Sequence, residues 1–177
     1  MPDVVKVRLA LPAEAPAIAE VQRASWATSP ALKAGLAEID LAEATAVWHQ
    51  IITRPPLAHY RVLVAMEVNQ VVGFTLIGPS DDEDAEETDS LVHEFIVAPY
   101  ALRQGHGSRL MQASVDTMQL DGYQRATWWV ETSNDVLRKF LAEAGWAPDG
   151  AHRELATSDG AHHIKQVRLH TDISTDT

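Results

Sequence analysis

The chain has 177 residues, with 14 Lys and Arg against 25 Asp and Glu for a formal net charge of −11, and it is 46% hydrophobic and 22% charged. That length suits one folded unit with a sizeable core, and the absence of cysteine excludes disulfides, thiolate metal sites and a cysteine nucleophile. An acidic balance without a basic run argues against nucleic-acid partners. No stretch reaches the ~18 apolar residues of a membrane span, and Met1-Pro2-Asp3 lacks the layout of a signal peptide, so the expectation is a cytoplasmic protein.

In chain order, Val4 to Leu9 alternates apolar with basic residues and predicts a strand with one wet face. Pro12 to Pro16 opens a helix carrying Ile18, Val21 and Ser25, which Thr28-Ser29-Pro30 breaks. Leu41, Thr45, Trp48 and Ile52 mark a second helix ended by Pro55-Pro56. Arg61 to Glu67 and Val71 to Ile77 read as a hairpin turning at Asn69-Gln70. The acidic stretch Asp81 to Asp89 reads as a solvated, mobile loop, with attraction of a cationic acceptor as the other reading. Leu91 to Val97 is a mostly apolar strand closed by Ala98-Pro99. After the turn Gln104-Gly105-His106-Gly107-Ser108, a helix carries Leu110, Met111, Ser114, Val115 and Met118 as far as Gly122. Arg125 to Glu131 is a further strand. Ser133 or Asn134 then caps a helix bearing Val136, Leu137, Phe140, Leu141 and Ala144, stopped by Gly145 ahead of Trp146. Arg153 to Ala156 and Ile164 to His170 form a closing strand pair around Ser158-Asp159-Gly160, and the polar tail from Thr171 frays.

The glycine turn is the candidate for carrying the chemistry, with an ordinary turn that opens a helix as the other reading. A turn that opens a helix points bare backbone N–H groups outward at the positive end of the helix dipole, which suits a phosphate or pyrophosphate. Gly105 and Gly107 allow unusual backbone angles and remove the Cβ atoms that would hold a ligand off those amides. Two familiar alternatives fit poorly. A dinucleotide fold wants glycine where Leu110 stands, and a nucleotide P-loop wants Gly-Lys-Ser/Thr. Arg103 and Arg109 flank the turn and invert, locally, a field that would otherwise repel an anion.

The order of strand, glycine turn, helix, strand, Asn-capped helix and Gly-aromatic stop, over roughly residues 91 to 146, resembles the GNAT superfamily of acetyl-CoA-dependent N-acetyltransferases. The resemblance implies an α/β fold with a mixed, mostly antiparallel central sheet flanked by helices. The sheet would splay at the cofactor site, between the strands ending at Val97 and Glu131. It implies one domain over residues 1–170 and a disordered tail over 171–177. In the family's first motif, here Leu102-Arg103-Gln104-Gly105-His106-Gly107 followed by Ser108, the turn amides grip the pyrophosphate of coenzyme A. The preceding residues Phe95, Ile96 and Val97 pair with the pantetheine arm, and the Asn134 position hydrogen-bonds that arm. The implied reaction is transfer of acetyl from acetyl-CoA, as co-substrate, to a primary amine of a small molecule or protein by direct attack. Family members often pair through a sheet edge or the C-terminal strands, so a homodimer is among the assemblies the resemblance allows. Two positions depart from the pattern. Leu102 stands where the family prefers Arg or Gln, and Leu141 where many members carry a tyrosine that protonates the departing thiolate. The second departure motivates an alternative, a non-catalytic acyl-CoA-binding regulatory or interaction module.

Attack on an acyl carbon needs a neutral amine, so a group near the acceptor must take its proton. Glu94 is the favoured base, because a carboxylate within an apolar strand is costly to bury without a partner. The competing reading pairs it with a neighbouring arginine or places it at a wet edge. His93, adjacent and therefore facing the opposite side, and Glu131 are lesser candidates. Of Trp128 and Trp129, one fills the core and the other packs likewise or lines an acceptor pocket or dimer contact, while Trp26 and Trp48 read as core. His152, His162, His163 and His170 offer no helical i, i+4 pair, so no metal is expected.

Overall fold

The computed structural model describes residues 6–29, 32–33, 39–156 and 160–175. Met1, Pro2, Asp3, Val4, Pro30, Ser158 and Asp159, named above, lie outside them, as do residues 176–177 of the expected tail. The chain builds β1 (Lys6–Leu9), α1 (Ala15–Trp26), α2 (Leu41–Thr53), β2 (Arg61–Glu67), β3 (Gln70–Pro79), β4 (Asp89–Val97), α3 (His106–Leu120), β5 (Arg125–Glu131), α4 (Asp135–Glu143), β6 (Ala147–Ala156) and β7 (His163–Asp172), with short 3-10 turns at Pro12–Glu14 and Pro99–Ala101. Seven strands lie in the order β1-β2-β3-β4-β5-β7-β6, and the β4–β5 pair is parallel while its neighbours are antiparallel. The near-continuous apolar runs of β2 and β3 follow from burial on both faces. Phe74, Ile18, Ile77, Leu110, Met118 and Leu141 are the bulkiest of the fully buried apolar side chains.

Local chemistry explains the helix ends. Asp40 caps α2 by accepting from the Ala42 amide, and Asn134 caps α4 by accepting from the Leu137 amide. Gly145 ends α4 with φ +96°, and the Trp146 amide returns to the Leu141 carbonyl at 2.9 Å. Arg61 makes a two-point contact with Asp121, Nε to Oδ2 at 2.6 Å and Nη2 to Oδ1 at 2.7 Å, tying β2 to the end of α3.

Several expectations need correction. The hairpin turns at Val68-Asn69, with Val68 at φ +53°, one residue earlier than expected. β6 begins at Ala147 and absorbs Pro148 and Gly150, because an edge strand tolerates a proline that donates no ladder bond and a register shift between Pro148 and His152 accommodates the rest. Thr171, where the tail is expected to begin fraying, lies inside β7. β7 continues through Asp172, the Ile173 amide bonds the Gln124 carbonyl at 2.9 Å, and the Ile173 side chain is buried. The acidic stretch is not a free loop either, as its contacts below show.

Candidate active site

β4 and β5 pair only from Asp89 opposite Arg125 to Val92 opposite Trp128. Beyond those residues β4 stays with β3 and β5 with β7, so the sheet opens between Val97 and Glu131 at the place expected. The register of β4 against β3 also shifts there. Ile77 faces Val92 and Leu76 faces Glu94, leaving His93 as an extra residue, a β-bulge. The simple alternation expected of His93 and Glu94 therefore does not govern His93. Its Nε2 donates to the Pro79 carbonyl at 3.1 Å, and its ring lies 5.1 Å from that of Tyr60.

Residues opposite one another in a ladder share a face. Glu94 therefore lies on the face of Leu76, Phe74 and Ile96, on which Trp48 packs with its ring 5.0 Å from that of Phe74. Phe95 points to the other face, 4.6 Å from the Trp128 ring. No hydrogen bond or ion pair is made by the Glu94 carboxyl among the described residues, and burial pushes its pKa up to about 7. The expected alternative of pairing with an arginine is thus not what the described residues show. Glu131, at the wide end of the opening, lines a cleft of about 530 Å³ with Ser29, Ser133, His162, His163 and Lys165.

The turn between β4 and α3 has the shape an anion needs. Arg103 at φ +64° and Gly105 at φ +85° bend the chain so that Gly105 becomes the N-cap of α3. Glycine has no side chain to satisfy the first-turn N–H groups, and no side-chain cap is present. A Cβ built on Gly105 would meet nothing within 4 Å, and one on Gly107 would meet only Val97 Cγ2 at 4.0 Å. The space above the amides is open. Gln104 and Ser108 are exposed beside it. His106 differs from the expectation of a backbone contributor alone. Its side chain is 2% exposed, with Nε2 at 3.2 Å from Glu67 Oε2. Asn134 commits its Oδ1 to capping α4, which leaves its NH₂ for another acceptor.

The family model for the Acetyltransferase (GNAT) family matches residues 20–146. The chain belongs to the GNAT family. The uncharacterised N-acetyltransferase YhfO of Bacillus subtilis is 26% identical over 88 residues, half of this chain, and the match spans 59% of that relative's length. An N-acetyltransferase from Staphylococcus aureus superimposes with a TM-score of 0.77 at 16% identity, covering 96% of this chain and 99% of that one. YncA of Salmonella typhimurium, solved with its cofactor acetyl-CoA, gives 0.75 at 17% identity over 98% and 96% of the two chains. This GNAT chain thus has the mixed, mostly antiparallel open sheet flanked by helices that its motifs implied.

Sequence reading missed what holds the face of the sheet that carries Trp129. Trp129 faces away from Trp128 and donates its indole N–H to Asp82 at 3.1 Å, with the Arg153 guanidinium 4.3 Å over the ring. Arg168 binds Asp82, Asp84 and Asp149, and Arg125 binds Asp89 and Asp149. The acidic loop is therefore strapped across β5 and β7. The one signal in the sequence was a charged residue amid Val167-Arg168-Leu169. Trp48 is core as expected, its Nε1 bonded to Gln22. Among the described residues no group of three His, Cys, Asp or Glu is placed to hold a metal, and no helix is long and apolar enough to cross a membrane.

Proposed function

We propose that this GNAT protein transfers an acetyl group from acetyl-CoA to a primary amine of a small molecule or protein by direct attack. The observation that carries the reading is Glu94, a carboxyl without a partner among the described residues and with its pKa pushed up to about 7, at the point where β4 parts from β5. The open amides of Gly105, His106, Gly107 and Ser108 fit a pyrophosphate, with Arg103 and Gln104 beside them. Phe95, Ile96 and Val97 would pair with the pantetheine and Asn134 would orient it. Acetyl-CoA, when bound, supplies an activated thioester. Glu94 takes a proton from the amine, directly or through water, as the N–C bond forms and the C–S bond breaks with its electron pair leaving on sulfur. No Cys is present to form an acyl-enzyme. With the buried Leu141 at the usual tyrosine position, the thiolate leaves unprotonated or takes its proton from water or another residue.

The open edge of β6 is where a second copy would pair, and the cytoplasm is the proposed compartment. Leu141 also favours a second reading, an acyl-CoA-binding module without transfer. Calorimetric titration with acetyl-CoA, with pantetheine as control, tests the site, and an amine panel then separates the two readings. Phosphate-dependent micromolar binding followed by acetylation of an amine supports the enzyme. Binding without transfer to any amine supports the module, and no binding at millimolar cofactor defeats both. Gly107→Val should raise the dissociation constant for acetyl-CoA at least tenfold and leave the melting temperature within a few degrees, because the space it fills is open. Unchanged binding by a folded Val variant would remove the turn from the cofactor site.

A further inference from the structure

Between Ala101 and Leu110, His106 is the one buried residue, and its side chain ties this backbone to the body of the protein. The anchor is chemically unusual. One imidazole nitrogen, Nε2, meets Glu67 Oε2 at 3.2 Å, while the other, Nδ1, is buried with no partner among the described residues. A leucine would plug the same space without leaving a nitrogen unsatisfied. Glu67 is the last residue of β2, immediately before the left-handed Val68 of the hairpin, and its side chain is 38% exposed. The pair therefore spans from the β2–β3 hairpin to the first residue of α3. The turn it reaches holds two left-handed residues, one of them the non-glycine Arg103, a conformation that surrounding contacts must enforce.

We propose that Glu67 is a positioning residue for the cofactor, orienting His106 and through it the amides of His106 and Gly107 toward the phosphates. The inference rests on the turn being the acetyl-CoA site. Glu67 accepts from Nε2–H, which fixes the tautomer and the ring plane. The enclosed ring, held at its far nitrogen, in turn restrains the backbone at the first position of α3. Glu67 touches neither cofactor nor acceptor in this reading. As an anion near a phosphate site it would, acting by charge alone, weaken binding, so its removal would tighten the complex. Acting by position, its removal loosens it. The sign of the effect therefore separates the two roles.

The test compares wild type with Glu67→Ala and Glu67→Gln, titrating each with acetyl-CoA and measuring KM and kcat with acetyl-CoA and with acetyl-pantetheine, which lacks the phosphates. Glu67→Ala is expected to weaken acetyl-CoA binding about tenfold, the size of one lost hydrogen bond to a charged group. Saturating turnover and the acetyl-pantetheine KM stay at wild-type values, and Glu67→Gln, whose amide oxygen still accepts, stays within about twofold of wild type. Unchanged or tighter binding by Glu67→Ala overturns the proposal. So does a Gln variant as weak as the Ala variant, or an equal loss with acetyl-pantetheine. Wild-type protein that fails to bind acetyl-CoA overturns the cofactor site itself and this role with it, an outcome distinct from the others.

Discussion

Glu94→Gln should lower kcat/KM for the amine by about 100- to 10,000-fold, the usual worth of a general base, and at the same time make the protein more stable above neutral pH. Both effects come from one fact. The carboxyl is desolvated and has no partner among the described residues, and its pKa is pushed from 4.5 up to about 7. As a base it works only when ionised, so the wild-type rate should rise with pH through about 7 and then level, a limb that Gln erases. The stability effect has the opposite sense. Between 4.5 and about 7 the native state holds a proton that the unfolded chain has released, so wild-type stability falls across that window as pH rises and stays low above it. The displacement corresponds to an upper figure of about 3 kcal/mol. Chemical denaturation at pH 8 should show the Gln variant ahead by up to that amount, and at pH 4 the two should coincide. A Gln variant that keeps the wild-type rate and pH profile would take Glu94 out of the mechanism.

What was legible in the sequence was what local chemistry determines. Gly105 and Gly107 before an amphipathic run announce an open helix N-terminus, Asn134 and Gly145 bracket α4, and a lone acid in LVHEFIV marks Glu94, because each signal is contained within a few residues. The bulge at His93 had no such signal. No glycine or proline marks it, and it exists only in the register with β3. The lack of a partner for Glu94 depends likewise on which strands surround it. The contact between His106 and Glu67 joins residues 39 apart in sequence. The strap across Trp129 joins residues 47 to 86 apart, and an acidic run reads as solvated until the arginines that face it are known. Ala147-Pro148-Asp149-Gly150 has the composition of a loop, and only the β7 edge makes it a strand. Ile173 looks terminal in sequence and is buried because the end of α3 and the residue before β5 hold its backbone.

The Arg168 strap should carry a large stability effect. The Arg168 side chain is 7% exposed and reaches Asp149 at 8% and Asp82 at 13%. Arg168→Ala leaves those carboxylates desolvated with part of their compensation gone, a change that costs about 3–5 kcal/mol when one partner of a buried pair is removed. Arg168→Lys should recover only part, since a point charge cannot serve three aspartates in fixed directions. Acid behaviour gives an independent check. Burial opposes ionisation of Asp149, but the Ala151 amide, Arg168 and Arg125 outweigh it and hold the carboxyl below the usual range. The Arg168 hydrogen bonds bring Asp84 down from 3.8 to about 2. Depressed acids contribute stability that is complete above their unfolded values and is lost as pH falls through the folded ones. Wild type should therefore lose this contribution between about pH 4 and pH 2. The Ala variant starts lower and has less to lose, so its deficit should shrink on acidification. Asp84→Ala, at a 65% exposed position, should cost far less than Arg168→Ala. Trp129 belongs to the same strap and to the Glu94 side of the sheet, so a folded Arg168→Lys protein should show a raised KM for the amine with the acetyl-CoA KM unchanged. An unmoved denaturation midpoint in Arg168→Ala would mean that the aspartates find other partners and that the strap does not hold this face.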